Sequence, residues 1–230
     1  MKTIGLIGGM SWESTKVYYE YMNKLVNQRM GGSHSAKIMM SSVDFAQIET
    51  LSFSGDWESI GELMAQHALK LEKAGADIIV LCTNTIHLVS DAITKAITIP
   101  FLHIADATGK AIQKEGLSKI ALLGTKFTME EDFYTKTLEE KYGLEVLIPE
   151  PHDREILQNM IYNELVKGKF TEEAKDKCLQ IILKLKSKGV EGVVLGCTEL
   201  PILIPDGEVE IPTFNTTLIH SKMAVDFALS

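Results

Sequence analysis

Short apolar segments alternate with longer amphipathic segments along the whole chain. The short segments are bounded by Gly, Thr or Pro, which is typical of buried strands, whereas the longer ones repeat apolar residues with the period of a helix. This alternation is typical of βα units, which build parallel sheets. Strands are predicted at 3–7, 37–43, 77–82, 99–103, 119–123, 144–148, 191–196 and 209–214.

Two of the intervening segments carry clear helix signals. The segment 57–74 places its apolar residues on one stripe and ends before Gly75, a residue type that commonly terminates helices. The segment 171–188 begins with Thr171, which can cap the first turn, and it ends before Gly189. Each predicted helix leads directly into a predicted strand.

The pattern of the first half returns in the second half at an offset of about 114 residues. The recurring segments are 4–8 with 120–124, 71–81 with 185–195, and 99–100 with 211–212. Three anchors in the same order predict an α/β fold of two pseudo-symmetric parallel-sheet domains, residues 1–102 with 216–230 and residues 103–215. The alternative is a single doubly wound domain with generic strands.

The register of this repeat decides which residues stand at equivalent strand ends. Thr83 is the counterpart of Cys197. Its neighbour Cys82 matches Gly196. Because successive side chains of a strand point to opposite faces, Cys82 and Thr83 are predicted to face in opposite directions. If Thr83 faces a ligand, Cys82 therefore faces the core.

The composition narrows the range of partners and compartments. The chain has 230 residues, 45% of them hydrophobic, and a net charge of −8 without a cluster of basic residues, so neither nucleic acid nor an anionic membrane is an expected partner. An odd number of cysteines argues against a disulfide framework, and no apolar run approaches the roughly 20 residues that span a bilayer. We expect a soluble cytoplasmic protein without a signal peptide.

Polar residues lie at the carboxyl ends of five predicted strands, where open α/β sheets bind ligands. These clusters are 8–11, 41–42, 83–85, 124–126 and 197–199. Hydroxyls, an amide and backbone N–H groups at helix starts suit a carboxylate ligand. Any one cluster alone is more simply explained by helix capping, but five clusters at strand ends predict a binding site.

Cys197 is the predicted acid or base. It follows an apolar strand and precedes a polar turn, where neighbouring N–H groups are expected to lower the pKa of its thiol. A lone cysteine in an apolar run more often packs in the core, as Cys178 is predicted to do. His87 lies one helical turn after Thr83 and is predicted either to hydrogen-bond the site or to orient a nearby hydroxyl or thiol. No metal-binding spacing and no dinucleotide or phosphate loop occurs, so neither a metal site nor a site for these cofactors is predicted.

Three segments resemble the aspartate/glutamate racemase superfamily across the whole chain. They are the opening segment 4–14, the N-T-x-H segment 84–87 and the G-C-T-E segment 196–199. The opening segment is most similar to the aspartate racemase branch and its broader amino-acid racemase relatives. The resemblance implies two pseudo-symmetric α/β domains with an active-site cleft between them, no PLP or other cofactor, and a homodimer. It also implies that the last helix returns to cover the first domain.

The family's reaction needs an acid or base on each side of the substrate, because racemisation removes the α-proton from one face and returns a proton to the other. Both groups are cysteines in the family. Here Cys197 matches one of them, but Thr83 occupies the other position. A hydroxyl is harder to ionise than a thiol. We therefore predict an asymmetric amino-acid racemase, in which Cys197 deprotonates the L-amino acid and Thr83, assisted by His87, protonates the other face.

The resemblance also implies substrate-binding and supporting positions. They are Met10 and Ser11 in a loop that closes over the substrate, Asn84, Thr85, Ile86 and Thr198 around the α-carboxylate and amino group, Lys167 at a distal carboxylate, and Glu199 as a supporting residue. Many aspartate racemases carry an arginine after the second strand, whereas residues 44–57 contain no Arg or Lys. Aspartate or glutamate is favoured as the substrate, and a broader range of amino acids stays open.

Two other functions are compatible with the same residues. A decarboxylase or cis–trans isomerase of the same superfamily would need only one cysteine, so that Thr83 would be no handicap. A catalytically idle amino-acid-binding protein would keep the binding residues after losing one base. Proton exchange at the α-carbon distinguishes a racemase from both alternatives.

Overall fold

The computed structural model describes all 230 residues and divides into two compact units. The first unit comprises Met1–Ile104 and His220–Ser230, and the second comprises Ala105–Ile219. These divisions fall two and four residues after the predicted boundaries at residues 102 and 215. None of the helices combines the length and the apolar character needed to cross a lipid bilayer.

Each unit contains one parallel sheet of four strands. The strands are β1 (Ile4–Gly8), β2 (Ile38–Ser42), β3 (Ile78–Leu81) and β4 (Phe101–Leu102) in the first unit, and β5 (Lys119–Gly124), β6 (Glu145–Leu147), β7 (Gly192–Gly196) and β8 (Thr213–Asn215) in the second. Their spatial order is β2-β1-β3-β4 in one sheet and β6-β5-β7-β8 in the other. The units share one topology, and the predicted fold class of two parallel-sheet α/β domains is confirmed.

Helices connect the strands of both sheets. The α-helices are α1 (Trp12–Met30), α2 (Phe45–Ser54), α3 (Trp57–Ala74), α4 (Ser90–Ala96), α5 (Ile104–Lys114), α6 (Lys126–Glu130), α7 (Asp132–Lys136), α8 (Pro151–Asn163), α9 (Glu172–Lys186), α10 (Leu200–Leu203) and α11 (Thr216–Leu229). Short 3₁₀ segments occupy Thr85–Val89 and Leu165–Lys167, and a π-helical turn occupies Thr137–Lys141.

Local sequence signals placed α3 correctly and β8 incorrectly. Helix α3 has the predicted bounds because Asp56 caps its first turn and Gly75 ends it in the left-handed conformation, at a φ of 101°. Strand β8 begins at Thr213, four residues after the predicted start. Residues 209–211 form bends instead, after a turn in which Gly207 has a φ of 90°, and Pro212 has no N–H for a sheet hydrogen bond.

The central strands of the two sheets have matching hydrogen-bonded registers. Ile7 of β1 pairs with Leu81 of β3, and Leu123 of β5 pairs with Leu195 of β7. Ile7 and Leu123 each precede the glycine that ends their strand, so Leu81 and Leu195 occupy equivalent positions. Two residues further on, Thr83 and Cys197 are therefore equivalent, which is the register that the sequence repeat predicts.

The alternation of side chains in β3 decides where Cys82 points. Ile79 and Leu81 belong to the core that also contains residues of α2 and α3. Val80 and Cys82 belong to the core on the opposite face, with residues of α1 and α11. Cys82 is fully buried there. The structure thus places Cys82 in the core, as its strand position predicts.

The last helix packs onto the first unit, as the resemblance implies. Ala224 and Val225 of α11 belong to the same buried cluster as Ile4 and Leu6 of β1. The N–H of Lys2 also donates a hydrogen bond to the carbonyl of Ala228, at 2.9 Å. The two ends of the chain are therefore held together in one core.

A buried histidine joins this helix to the sheet. His220 is fully buried, and its Nε2 lies 2.9 Å from the carbonyl oxygen of Leu102, so Nε2 carries the donated hydrogen. Its Nδ1 lies 3.0 Å from the Tyr18 hydroxyl, which is consequently the donor to the neutral ring. Burial lowers the pKa of His220 to about 4.

We expect the variant His220→Gln to flatten the pH dependence of stability between about pH 6.5 and about pH 4. The unfolded chain takes up a proton at His220 near its ordinary pKa of 6.5, whereas the folded protein takes it up only near pH 4. Stability is therefore fully present above the upper pH and is lost as the pH falls through this window, by up to about 3 kcal/mol. The midpoint of urea unfolding measures the effect.

Glutamine keeps a donor for the Leu102 carbonyl but does not titrate. The control is His34→Gln, because His34 is exposed and the same substitution there leaves the buried pair of His220 and Tyr18 intact. An equally steep loss of stability in wild type and His220→Gln would contradict the assignment of this pH dependence to His220.

Candidate active site

The turn after β1 is built by two glycines and a buried threonine. An added Cβ at Gly8 would lie 2.4 Å from Cγ2 of Thr15, and one at Gly9 would lie 2.2 Å from the carbonyl oxygen of Val43. Gly9 also has a φ of 96°, and its N–H donates to the Thr15 hydroxyl at 2.8 Å. These contacts explain why the strand ends in two glycines.

Met10 and Ser11 follow this turn. Met10 is buried, and Ser11 is partly exposed and caps α1, with its hydroxyl accepting from the N–H of Ser14. Both residues lie at the carboxyl end of β1. The predicted loop residues are thus anchored at the start of a helix.

The segment after β3 lies at the same edge of the sheet, because β3 pairs directly with β1. The predicted residues Asn84 and Ile86 are buried there and Thr85 is partly exposed. Thr83 is 8% exposed, and its N–H donates to the carbonyl of Leu81 at 2.9 Å. The Thr83 hydroxyl makes no hydrogen bond within the first unit.

His87 binds the main chain on both sides of its ring. Its Nδ1 lies 2.8 Å from the Thr83 carbonyl oxygen, and its Nε2 accepts from the N–H of Ile104 at 3.2 Å. The ring is therefore the neutral tautomer with hydrogen on Nδ1. Burial, with the neighbouring His103 and His220, keeps the pKa of His87 well below its usual value. Because both nitrogens are occupied, this ring is not available to exchange a proton with the Thr83 hydroxyl.

In the second unit, Cys197 and Thr198 converge on one carboxylate oxygen. Cys197 follows β7 and packs in the core that contains residues of α8 and α9. Its thiol donates to Oε2 of Glu199 at 2.8 Å, and the Thr198 hydroxyl donates to the same oxygen at 2.7 Å. Cys197 is 9% exposed and Glu199 is 6% exposed. The three residues form a buried cluster of thiol, hydroxyl and carboxylate.

The expected lowering of the Cys197 pKa is wrong. Burial raises the pKa of this thiol well above its ordinary value, and the charge of Glu199 and its hydrogen bond raise it further. The backbone N–H groups of Thr198 and Glu199 lower the pKa, as predicted, but their effect is smaller. At neutral pH the group is a thiol whose hydrogen points at Glu199.

The remaining predicted positions lie in other segments of the two units. Thr125 caps α6 after β5, and β5 pairs with β7, so it lies at the same sheet edge as Cys197. Ser41 in β2 lies 2.6 Å from Nδ1 of His67, a contact that the sequence did not suggest. Lys167 ends the 3₁₀ segment Leu165–Lys167 and is exposed.

Two buried residues behind the strand ends of the first unit were not predicted from the sequence. They are Tyr18 and His220, which bond to each other although they lie 202 residues apart in the chain. No local pattern could have paired them. Across residues 1–230, no three His, Cys, Asp or Glu side chains are arranged to hold a metal ion.

The fold and these strand ends define a two-domain α/β protein whose polar residues gather at the carboxyl edges of its sheets. The model of the Asp/Glu/Hydantoin racemase family matches residues 7–224. The chain therefore belongs to the Asp/Glu/hydantoin racemase family.

Individual relatives agree with this assignment. A candidate Asp/Glu racemase from Yersinia pestis is 48% identical, with a TM-score of 0.94 and full coverage of both chains. An aspartate racemase homologue from Pyrococcus horikoshii OT3 is 37% identical, with a TM-score of 0.87 and full coverage of both chains. The broad specificity amino-acid racemase RacX of Bacillus subtilis is 25% identical, in an alignment that covers 99% of this chain and 98% of RacX.

We expect iodoacetamide to alkylate Cys197 at a rate that rises with pH and is half-maximal above pH ~8.5, the ordinary pKa of a thiol. The thiolate is the nucleophile, and burial together with Glu199 disfavours it. Cys82 and Cys178 should stay unmodified in the native protein, because both are fully buried and burial raises the pKa of Cys178 to about 12. Peptide mass spectrometry after brief labelling measures all three cysteines.

The matched control is Glu199→Gln, which removes the charge beside the thiol and should move the profile to lower pH. A half-maximal rate near neutral pH in the wild type would show that the thiol is activated rather than suppressed.

Proposed function

We propose that the protein is a PLP-independent amino-acid racemase in which Cys197 and Thr83 act on opposite faces of the α-carbon. The equivalence of these two residues carries the proposal: each follows the central strand of a sheet with the same topology and register. In the proposed reaction, this repeat supplies the two groups that act on one substrate carbon. Membership of a racemase family supports the same reaction.

The reaction conserves the substrate apart from one proton. The Cys197 thiolate removes the α-proton of an L-amino acid and becomes a thiol, and the electron pair stays on the substrate as a carbanion. The Thr83 hydroxyl then protonates the opposite face, and its oxygen regains a proton from solvent. The reverse direction requires Thr83 to act as a base, which a hydroxyl does poorly, so proton removal is expected to be slower from the D-enantiomer.

Cys197 rests as a thiol, so a base must remove its proton before it can act, and Glu199 is that base in the proposed reaction. Its Oε2 is 2.8 Å from Sγ, within reach for accepting the thiol proton before the α-proton is removed. The same carboxylate then passes the proton to solvent. Glu199 would thereby act on the reacting sulfur and not only support the turn.

Substrate binding would use the polar strand ends. We propose that Asn84, Thr85 and Thr198 bind the α-carboxylate and amino group, with Met10, Ser11 and Ile86 lining the site. The substrate is an amino acid, with aspartate and glutamate included in a broader range. Support for breadth comes from RacX, which is named for its broad specificity, and from the exposed position of Lys167.

A second candidate function rests on Thr83. Within the first unit no side chain accepts a hydrogen bond from its hydroxyl, so nothing there activates it as a base. A decarboxylase or cis–trans isomerase that uses only Cys197 would not need such activation. Formation of the opposite enantiomer in the experiment below would rule out this alternative.

We expect the wild type to convert L-aspartate or L-glutamate into the D-enantiomer in deuterated water, and Cys197→Ala to lose at least about 100-fold of this rate. Thr83→Ala should lose inversion similarly but still exchange deuterium into the recovered L-amino acid, because Cys197 can remove and return a proton on one face. Thr83→Ser, which keeps the hydroxyl, is the matched control. Chiral chromatography with mass spectrometry reads both outcomes for a panel of amino acids.

Full activity of Cys197→Ala would eliminate the proposed base. Decarboxylated or rearranged products would support the second candidate, and binding without any turnover would support an idle binding protein.

We expect Glu199→Gln to slow deuterium exchange into L-amino acids about 10- to 100-fold at neutral pH, even though it lowers the pKa of Cys197. The amide cannot accept the thiol proton, so added acetate should partly restore the rate. Circular dichroism confirms that the isosteric variant is folded. Faster exchange than in the wild type would mean that Glu199 only suppresses the thiolate.

A further inference from the structure

Three imidazole rings pack together behind Thr83 in the first unit. The ring centroid of His87 lies 4.8 Å from that of His103 and 5.7 Å from that of His220. The proposed reaction uses none of these rings directly. His87 also contacts Thr83, through the Thr83 main-chain carbonyl.

His87 connects the ends of two neighbouring strands. Thr83 follows β3, and Ile104 follows β4, which pairs with β3 in the sheet. The ring donates from Nδ1 to the Thr83 carbonyl and accepts at Nε2 from the Ile104 N–H. A protonated ring would lose the second of these bonds, since both nitrogens would then be donors. The bridge therefore exists only with a neutral imidazole of one tautomer.

The Leu102 carbonyl favours a charged His87 ring, but burial and the neighbouring His103 and His220 outweigh it and keep the imidazole neutral. His220 donates to the Leu102 carbonyl and accepts from Tyr18, so it is neutral as well. His103 and Phe101 present rings to His87. Among the residues that contact this ring, no carboxylate is present to stabilise a charged form.

The two main-chain bonds of Thr83 leave its side chain little freedom. Its N–H is held by the Leu81 carbonyl and its own carbonyl is held by His87, so the direction of its Cα–Cβ bond is fixed. A β-branched side chain then has few χ1 positions. The hydroxyl remains without a partner in this unit, which suits a group that must face a substrate.

We propose that His87 is a positioning residue that aims the Thr83 hydroxyl for the proton-delivery step, acting through the Thr83 main chain. This inference rests on the proposed racemase function. It assigns His87 no proton transfer of its own, because both ring nitrogens are engaged. A small displacement of a delivering group lowers the rate of its own step and leaves the step on the opposite face intact.

Two amide variants of His87 distinguish the hydrogen bond at Nδ1 from the hydrogen bond at Nε2. In His87→Asn, the side-chain amide nitrogen stands near Nδ1 and can still donate to the Thr83 carbonyl. In His87→Gln, the amide oxygen stands near Nε2 and can accept from Ile104, but the bond to Thr83 is lost. Each variant thus keeps one of the two hydrogen bonds.

The readout is the ratio of D-product formed to deuterium incorporated into recovered L-aspartate or L-glutamate. We expect His87→Asn to keep this ratio near the wild-type value and His87→Gln to lower it about 10-fold or more. A loss of stability alone would reduce both rates together and leave the ratio unchanged. Tyr18→Phe is the control, because it removes a hydrogen bond from the same histidine cluster without touching Thr83.

Two results for the amide variants would contradict the positioning role of His87. An unchanged ratio in His87→Gln, or an equal fall in both amide variants, would overturn the positioning role. The absence of any exchange in the wild type would instead refute the proposed function and the role of Thr83 with it. A long-range proton–nitrogen spectrum of the histidines gives a test without substrate, since hydrogen on Nε2 of His87 would overturn the bridge to Thr83.

Discussion

The pairing of each central strand with its neighbour is the constraint on which the site depends. Ile7 opposite Leu81 and Leu123 opposite Leu195 set the same register in both sheets, and a shift of one residue would exchange every side chain between the two faces. With this register, Cys82 lies in the core. The equivalent position after the strand is occupied by the hydroxyl of Thr83 in one unit and by the thiol of Cys197 in the other.

Each of these two groups has a different kind of support. Cys197 is held through its side chain by a carboxylate, in surroundings that raise its pKa, so the sulfur stays protonated until a base accepts its hydrogen. Thr83 is held through its main chain by a neutral imidazole, and its hydroxyl has no activating partner in its unit. The two halves of the repeat therefore share one strand register but differ in the group at the strand end. This difference suits the proposed racemase, in which proton removal is faster from the L-enantiomer than from the D-enantiomer.

The repeat also extends to the supports of the sheets. Asp77 precedes β3 and accepts from the N–H of Thr3 at 2.6 Å, and Glu191 precedes β7 and accepts from the N–H groups of Ser118 and Lys119. In each unit an acidic side chain thus ties the start of one central strand to the start of its neighbour. These hydrogen bonds stabilise the register of the strands. The register in turn fixes the positions of the residues at the opposite end of each strand.

The sequence by itself determined the alternation of strands and helices, the two-unit architecture and the equivalence of Thr83 with Cys197, because these depend on local periodicity and on matching positions in the repeat. It failed at β8, where Gly207 and Pro212 overrode an apolar pattern. The partners of His87 and the raised pKa of Cys197 were decided only by the tertiary structure. Hydrogen bonds to Ile104 and burial against distant helices arise from the path of the folded chain, and the effect of burial on the Cys197 pKa outweighs that of the nearby N–H groups, which the local sequence supplies.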